Sequence, residues 1–353
     1  MSERRVDHRL RVELIVMRKV LCFGEILLRF SPTANGEWLN TGQMPVYLGG
    51  AELNVATALA RWGVPVSYCT AMPDHFLSQD LMSELKRRKL NIDTIRLSGE
   101  RLGSYYLAQG TDVRNRSVIY DRECSSFGGL KPGVIDWDRA LQGISWLHFS
   151  AISPALSEPV TEVCEEALEA ASRRKITASI DLNYRSALWK QRNPHESMSK
   201  LVNHCDVVMG NIWSAHELLG IPLNPALVQQ NEPASYRQHA YESAQTLLKR
   251  FARIKTVALT FRFDEEKGIQ YFASLYTALH SAESPVLRSK EILDKVGTGD
   301  CFMAGLIYGL IHQLPEKDII QFASSAAFGK FFEIGDATRQ DVRTIWERIQ
   351  RHA

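Results

Sequence analysis

The chain has 353 residues, of which 45% are hydrophobic and 23% are charged, and this is the composition of a folded globular protein with a sizeable core. Forty-two basic and forty acidic side chains leave a formal net charge of +2, which favours neither nucleic acid nor a membrane surface nor a strongly acidic partner. No apolar run approaches the roughly 18 residues of a membrane span. The composition therefore indicates a small-molecule partner, with no nucleic acid and no membrane involved.

The first 17 residues are dense in charge and lack a regular period, whereas strand-like apolar character begins at Val20. We predict that residues 1–17 form a disordered extension and that one folded domain spans residues 18–353. A short amphipathic helix is the alternative for the extension. Six cysteines without any C-x-x-C pair predict reduced thiols and a cytoplasmic protein.

From Lys19 onward, short apolar runs alternate with longer segments of helical periodicity, and this order is typical of a parallel sheet covered by helices. The runs predicted to be core strands are VLCFGEILL, VPVSYCTAM, SWLHFSAI, ITASIDLN, DVVMGN and TVALTF. Between them, AELNVATALARW and LSEPVTEVCEEALEAASRRK carry apolar residues at helical spacing. The pattern predicts an α/β fold with a doubly wound, mostly parallel sheet that is flanked by helices.

Two stretches, about 29–48 and 101–122, interrupt this alternation. In the second, GSYYLAQGTDVRNRSVIYDR predicts two strands around a polar turn that contains Gly110 and Asn115. We predict that both stretches form extra antiparallel strands in a small β lid, because ligands of α/β enzymes bind beyond the carboxyl ends of the parallel strands. The segment from Asn224 to Tyr241 is rich in Gln, Asn and Pro and is predicted to be a polar surface loop.

The segment from Asp294 to Asp300 reads DKVGTGD and runs directly into CFMAGLIYGLIHQL, whose apolar residues fall on one helical face. A glycine-rich turn that opens a helix presents unpaired N–H groups and the positive end of the helix dipole, and both favour an anion. Gly297 and Gly299 let the backbone approach that anion closely. Asp300 would repel a phosphate unless it serves as a general base for an attacking hydroxyl. Helix capping is the alternative role.

Two other phosphate-binding motifs can be excluded directly. No G-x-x-x-x-G-K-[ST] is present, and G-x-G-x-x-G fails because Phe302 stands at the position of the third glycine. The sequence therefore disfavours a P-loop enzyme and a Rossmann dehydrogenase.

DKVGTGDCFMAG resembles the C-terminal signature of the ribokinase/PfkB family of carbohydrate kinases, and GGAELN at residues 49–54 resembles its N-terminal glycine pair. The resemblance implies a ribokinase-like fold with a β lid, use of ATP with Mg²⁺, and homodimers formed through the lid. The residues to which it assigns roles are the catalytic base Asp300, the anion-hole residues Gly297, Thr298 and Gly299, and Asp294 near a monovalent cation, usually K⁺.

The glycine pair has a physical interpretation of its own. Gly49 and Gly50 would let backbone amides reach sugar hydroxyls, and Asn54, one turn into the next helix, offers both a donor and an acceptor. An ordinary strand-to-helix turn is the alternative for the two glycines.

A finer resemblance, to the 2-keto-3-deoxygluconate kinase branch of the family, rests on GEILLRFSP, VIYDR, SAISPAL and DLNYR followed by LW. It implies a sugar acid whose primary hydroxyl is phosphorylated. Arg122 and Arg185 would converge on the carboxylate, because guanidinium suits bidentate recognition of carboxylates. Tyr105 and Tyr120 would supply hydroxyl and stacking contacts. Ordinary surface arginines are the alternative.

The sequence departs from the family pattern on the nucleotide side. The family has N-x-x-E after a middle strand, where the Glu helps to organise Mg²⁺, but here Ser214 stands in place of the Glu and the nearest carboxylate is Glu217. The usual Thr-Leu-Gly turn is replaced by TFRFD. The candidates for nucleotide contacts are Asn211, Thr260, Arg262 and Gly268, with ordinary strand-end residues as the alternative.

Two other functions stay open at the level of the sequence. A kinase for a fructose-like sugar or a nucleoside would keep Asp300 and the anion hole but would use the two arginines differently. A non-catalytic sensor of sugar or nucleotide is favoured by the altered N-x-x-E motif and disfavoured by the intact G-x-G-D. Turnover of ATP distinguishes the sensor from either kinase.

Overall fold

The computed structural model describes residues 18–32, 38, 42–108, 118–190, 192–224, 226, 233–265 and 268–352. The predicted extension at 1–17, the turn with Gly110 and Asn115, and part of the 29–48 stretch lie outside these residues. The strands are β1 (Lys19–Phe23), β2 (Leu27–Phe30), β3 (Val46–Gly49), β4 (Val66–Cys69), β5 (Ala71–Met72), β6 (Arg96–Leu97), β7 (Gly103–Tyr106), β8 (Ile119–Asp121), β9 (Ile144–Ser150), β10 (Thr177–Asp181), β11 (Val207–Gly210), β12 (Thr256–Glu265), β13 (Gly268–Tyr276), β14 (Ser281–Glu283) and β15 (Leu287–Ser289). The helices are α1 (Ala51–Arg61), α2 (Phe76–Arg87), α3 (Trp137–Ala140), α4 (Ile152–Leu156), α5 (Glu158–Arg173), α6 (Ser186–Trp189), α7 (Pro194–Val202), α8 (Ile212–Leu219), α9 (Pro233–Arg250), α10 (Thr298–Ile311), α11 (Glu316–Lys330) and α12 (Val342–His352).

The larger sheet has nine strands within the described part of the chain. Its parallel strands follow the order β4-β1-β9-β10-β11-β12, and β13, β14 and β15 extend it with antiparallel pairing. The parallel strands are the apolar runs of the sequence, so the predicted doubly wound sheet is confirmed. A two-stranded sheet of β5 and β6 lies beside it.

Both faces of the parallel strands are buried, because successive side chains of a strand point to opposite faces. In β1, Leu21 and Phe23 face a core formed with α5, α7 and α8, whereas Val20 and Cys22 face a second core formed with α1, α10 and α11. Each Å² of apolar surface that is buried stabilises the folded state by about 25 cal/mol. The two helical layers therefore hold the carboxyl ends of the strands in place.

The strand order reverses at β1. The chain passes from β1 to β4 on one side of the sheet and then crosses to β9 on the other side. In open α/β sheets the crevice outside the carboxyl ends of the strands at such a reversal is the usual ligand site. The topology alone therefore points to the carboxyl ends of β1, β9 and β10.

A separate sheet with the order β3-β2-β7-β8 forms the lid. The predicted extra strands outside the main sheet are confirmed, with antiparallel pairing of β2 with β3 and of β7 with β8. One part of the prediction is wrong, since β2 and β7 pair in parallel. Leu27, Tyr105 and Leu107 form a small apolar cluster on the lid, and the Phe30 and Tyr106 rings stack 5.3 Å apart.

Two predicted elements differ from the structure. The run VLCFGEILL is not one strand, because β1 ends at Phe23 and β2 begins at Leu27; a Cβ at Gly24 between them would lie 2.0 Å from the Glu52 carboxylate. The chain thus enters the lid earlier than residue 29. The predicted loop from Asn224 to Tyr241 becomes helical at Pro233, because the buried side chain of Tyr236 anchors α9 to the core and proline suits a first helical position.

Candidate active site

A cavity of about 640 Å³ lies between the lid and the carboxyl ends of β10 and β11, and its volume is typical of small-molecule sites. The predicted site residues in its wall are Gly50, Asn54, Tyr105, Tyr120, Arg122, Arg185, Asn211, Thr260, Arg262, Gly297, Thr298, Gly299 and Asp300. The structure thus brings together residues from the lid, the strand ends and the first turns of α1 and α10. Of the predicted site residues, Gly49, Gly268 and Asp294 do not line this wall.

The glycine-rich turn at the start of α10 faces the cavity. Gly297 is the N-cap residue with φ 77°, and a Cβ there would lie 1.8 Å from the carbonyl oxygen of Asp336, so only glycine fits. At Gly299 a Cβ would meet no described atom within 4 Å, because the position opens on the cavity. Thr298 Oγ1 donates to the Lys295 carbonyl at 3.0 Å and closes the turn. The N–H groups of Gly297 and Gly299 have no acceptor among the described residues and are available to an anion, whereas that of Thr298 makes a long bond of 3.4 Å to the Lys295 carbonyl.

Asp300 lies in the first turn of α10 with 8% of its surface exposed and accepts a hydrogen bond from Asn54 Nδ2 at 2.7 Å. Burial raises the pKa of Asp300 to about 7; the Asn54 hydrogen bond and the charge of Arg185 lower it, and the charges of Glu52 and Asp336 raise it. Among the described residues the hydrogen-bond partner of its carboxylate is Asn54, and no backbone N–H of the helix start donates to it. A carboxylate with a pKa near neutrality is suited to general-base catalysis.

The raised pKa of Asp300 predicts a pH dependence of activity. A general base works only when it is deprotonated, so the limb that an ordinary Asp would place near pH 4 moves up to the pKa of about 7. We expect kcat/KM to fall about tenfold for each pH unit below that value and to be level above it. A pH–rate profile with saturating ATP measures this. A flat profile from about pH 5.5 to pH 8.5 would contradict the assignment of Asp300 as the base.

Asp181 is a cavity residue to which the sequence analysis gave no role. It is the last residue of β10 and has 6% of its surface exposed. Burial and the charge of Asp300 raise its pKa well above the ordinary range, whereas Arg185 lowers it. The position of a carboxylate at the end of a predicted parallel strand was the signal that could have identified it. Asp181 and Asp300 give the cavity two buried carboxylates, which are oxygen donors of the kind that Mg²⁺ prefers.

Arg122 carries a charge that is already paired. Its Nε and Nη2 lie 2.6 Å and 2.5 Å from Oε2 of Glu25, and both side chains are almost fully buried. Nothing in the sequence around Glu25 indicated this partner. The pair has no net charge, so the carboxylate-binding role predicted for Arg122 depends on the N–H groups that Glu25 does not use.

Arg185 has a different environment. It lies in the exposed part of the cavity wall, its Nη1 donates to the Tyr184 carbonyl at 3.0 Å, and no carboxylate of the described residues lies within ion-pair distance. Arg185 is therefore the unpaired cation that the cavity presents to a ligand.

The two predicted tyrosines also lie at the cavity. The Tyr105 hydroxyl donates to the Asp336 carboxylate, and its ring lies 6.4 Å from that of Tyr120.

The altered N-x-x-E motif has a structural explanation. Asn211 is the N-cap of α8, and its side chain accepts from the Ser214 N–H at 2.8 Å. The Ser214 hydroxyl in turn accepts from the Asn211 N–H at 2.9 Å. This is the reciprocal arrangement of a capping box, with Ser in the position of Glu. Both residues remain in the cavity wall.

Lys295 is a second cavity residue that the sequence analysis missed. Its side chain is buried, and Nζ donates to both carboxylate oxygens of Asp264 at 2.9 Å. Arg262 Nε lies 3.8 Å from the same carboxylate, and Thr260 Oγ1 donates to the Gly210 carbonyl at 3.3 Å. These groups place cationic donors on the wall beside the anion-binding turn. Lysine and arginine in such positions suit the phosphates of a nucleotide.

Gly268 and Asp294 lie outside the cavity wall, and each has a structural role instead. Gly268 opens β13 with φ 127°, and a Cβ there would lie 2.1 Å from the Ser289 carbonyl oxygen. Asp294 accepts from Arg29 Nη2 at 2.9 Å, from the Gly335 N–H at 3.2 Å and from the Val296 N–H at 3.0 Å. The negative charge of Asp294 is already balanced by Arg29 and three donors converge on its carboxylate, so it does not fit the monovalent cation that the resemblance places nearby.

Comparisons with known proteins agree with this architecture. The chain is 27% identical to a 2-dehydro-3-deoxygalactonokinase of Haloferax volcanii, over 90% of this chain and 92% of the relative. It is 25% identical to a 2-dehydro-3-deoxygluconokinase of Bacillus subtilis, over 85% of each chain. The crystal structure of 2-dehydro-3-deoxygluconokinase from Thermotoga maritima matches with a TM-score of 0.86 and 30% identity, over 94% of this chain and 98% of the other. The model of the pfkB family carbohydrate kinases matches residues 17–331, and the chain belongs to that family of sugar kinases.

Proposed function

We propose that the protein transfers the terminal phosphoryl group of ATP to the primary hydroxyl of a 2-keto-3-deoxy sugar acid. The observation that carries this proposal is the juxtaposition, in one cavity, of the buried base Asp300, the glycine turn of α10 and the unpaired cation Arg185. The relatives named for 2-keto-3-deoxy sugar acids support the same substrate class.

In this reaction Asp300 accepts the proton of the substrate hydroxyl while the hydroxyl oxygen forms a bond to the γ-phosphorus of ATP. The bond from that phosphorus to the bridging oxygen breaks, and ADP leaves with the electron pair. The N–H groups of the turn at Gly297, Thr298 and Gly299 stabilise the charge on the oxygens of the transferred phosphoryl group. Positioning and electrostatics therefore account for the catalysis.

Mg²⁺ fits the donors of the cavity. The buried carboxylate of Asp181 would hold it together with the phosphates of ATP, and it would neutralise phosphate charge, while Asp300 stays free to act as the base. The described residues contain no cluster of three His, Cys, Asp or Glu side chains arranged around a metal. Such a cluster is not required, because Mg²⁺ in ATP-dependent enzymes is usually bound through one or two carboxylates, phosphates and water.

The proposed substrate places a carboxylate at one end and a primary hydroxyl at the other. Arg185 would bind the carboxylate, and Arg122, which Glu25 holds in position, would donate its remaining N–H groups to the carboxylate or the keto oxygen. Asn54 and Tyr105 would contact the hydroxyls, and Gly50 would bring its backbone amide within reach. A neutral sugar would leave the charge of Arg185 unused.

Initial rates with ATP and a panel of acceptors test the proposal. The panel contains 2-keto-3-deoxygluconate, 2-keto-3-deoxygalactonate, fructose, ribose and adenosine. We expect the two sugar acids to give the highest kcat/KM. Preference for fructose, ribose or adenosine would show that the protein is a kinase with a different substrate. Turnover of none of them, with ATP bound, would favour a non-catalytic sensor of the same fold.

The lid is proposed to close over the substrate and to exclude water, which suppresses wasteful hydrolysis of ATP. We expect amide hydrogen exchange in β2, β3, β7 and β8 to slow when a sugar acid and a non-hydrolysable ATP analogue bind together. Strand β4 of the main sheet is the internal control, since all four of its residues are buried and none lines the cavity. Unchanged exchange in the lid, with both ligands saturating, would count against closure.

We also propose that the protein is a homodimer and is located in the cytoplasm. A homodimer through the lid would cover Val46 and Ile119, whose side chains are 50% and 61% exposed on β3 and β8. The cysteines are free thiols, and all except Cys124 are buried, which agrees with a reducing cytoplasm. Within the described residues, no helix has the length and apolar character needed to cross a membrane.

A further inference from the structure

Four charged side chains form a buried cluster behind the anion-binding turn. The members of this buried charge cluster are Arg29, Asp294, Lys330 and Asp336, of which Arg29 and Lys330 have 0% and the two carboxylates 3% of their surface exposed. The cluster contains two cations and two anions, so its formal charge is zero. Neither the general-base chemistry nor the recognition of the sugar acid uses the two cations.

Lys330 lies directly behind the turn. It is the last residue of α11, and its Nζ donates to the Glu333 carbonyl at 2.9 Å. Its Cε lies 3.5 Å from the position that a Cβ on Gly297 would take. The carbonyl of Phe331 accepts from the N–H groups of Leu293 and Asp294 at 2.8 Å and 3.3 Å. The ammonium group is therefore held by the Glu333 carbonyl at a helix C-terminus, where the helix dipole favours a cation.

Arg29 supplies the second cation from the lid strand β2. Its Nη2 lies 2.9 Å from Asp294 and its Nε 2.9 Å from Asp336, and its guanidinium stacks 4.5 Å from the centre of the Tyr47 ring. One guanidinium thus bridges both carboxylates of the cluster, and Lys330 supplies the second positive charge. The burial of Arg29 makes this arrangement permanent in the folded state.

A monovalent metal ion has no favourable place in this cluster. Both oxygens of Asp294 already accept hydrogen bonds, and a further cation beside the Lys330 ammonium and the Arg29 guanidinium would be repelled by both. It would also leave the buried cluster with a net positive charge, and uncompensated buried charge is strongly destabilising. The residues present do not fit the ion that the resemblance implies.

We propose that Lys330, assisted by Arg29, is a built-in cation that holds the anion-binding turn in place, so that phosphoryl transfer by this protein does not depend on added K⁺. This inference rests on the proposed function. Lys330 is a positioning residue that acts through Gly297 and Asp294 and does not touch the substrate. An ammonium group is close to K⁺ in size and charge, and this lets one substitute for the other.

The first measurement is an ion series on the wild-type protein. We expect kcat with the preferred sugar to change less than about twofold among K⁺, Na⁺ and tetramethylammonium at equal ionic strength. Lys330→Ala removes the ammonium and leaves space, so its kcat should fall at least about tenfold in tetramethylammonium and recover at least in part with K⁺ or methylammonium. Lys330→Arg, which keeps the charge, should show a smaller loss. Lys317→Ala, on the exposed face of α11, is the matched control.

Thermal unfolding supplies a readout without turnover. The Tm of the wild type should be the same in K⁺ and tetramethylammonium, and K⁺ should raise the Tm of Lys330→Ala, because an ion that binds only the folded state stabilises it. If the wild type phosphorylates no sugar, the proposed function fails while these Tm values still test the built-in cation. Activation of the wild type more than about fivefold by K⁺ would overturn the inference, even if Lys330→Ala does not fold. Activity of Lys330→Ala equal to that of Lys317→Ala in every salt would overturn it as well.

Discussion

Asp300→Asn is expected to lower the turnover number at least about 10²–10⁴-fold, because the substitution keeps the size of the side chain and removes the proton acceptor. Affinity for ATP should be retained, since the backbone of the glycine turn is unchanged. Stability should be retained as well. Burial raises the pKa of Asp300 from 3.8 to about 7, so the folded state loses stability as the pH rises between these values and keeps that cost above pH 7, and a neutral Asn does not carry it.

The measurements are initial rates, ATP binding by calorimetry and Tm for the same preparations. Asp80→Asn, the same substitution on the exposed surface of α2, controls for the loss of a carboxylate in general. Near-normal turnover of Asp300→Asn would exclude Asp300 as the base. A parallel loss of turnover, ATP binding and Tm would show that Asp300 acts on the structure of the turn instead.

Arg185→Ala is expected to reduce kcat/KM for a 2-keto-3-deoxy sugar acid about tenfold or more, since a charge-assisted hydrogen bond contributes about 1.5–3 kcal/mol. The same variant should barely change kcat/KM for a neutral sugar. Part of the loss should appear in kcat, because the carboxylate contact positions the distant hydroxyl against Asp300. Rates on 2-keto-3-deoxygluconate, fructose and ribose measure the difference.

Arg122→Ala should also weaken binding of the acid, but it is a less selective test. Removal of Arg122 leaves the Glu25 carboxylate buried without its partner, and this costs about 3–5 kcal/mol in stability. Arg185 has no such partner among the described residues, so the change in kcat/KM of Arg185→Ala measures the lost contact with the ligand. Arg173→Ala, on the exposed surface of α5, is the surface control. Equal losses on acid and neutral sugars in Arg185→Ala would rule out the carboxylate role.

The sequence predicted well those features that are encoded by neighbouring residues. The parallel strands were identified because each is a short apolar run buried on both faces, and the turn from Gly297 to Asp300 because glycine, polar residues and the following helix are contiguous. Errors arose where burial by distant elements outweighed local composition. Tyr236, for example, lies in a polar stretch, and its burial against the core makes the segment from Pro233 a helix.

The sequence by itself therefore determined the fold class and the family resemblance, and it predicted the reaction centre at Asp300. Only the tertiary structure decided which charges are paired. Arg29 and Asp294 are 265 residues apart, Asn54 and Asp300 are 246 apart, and Glu25 and Arg122 are 97 apart. Such pairs form because separate strands and helices bury them side by side, and buried charges must find partners there. No local pattern records that requirement, so the paired state of Arg122, the unpaired state of Arg185 and the cluster around Lys330 emerge only when the chain is folded.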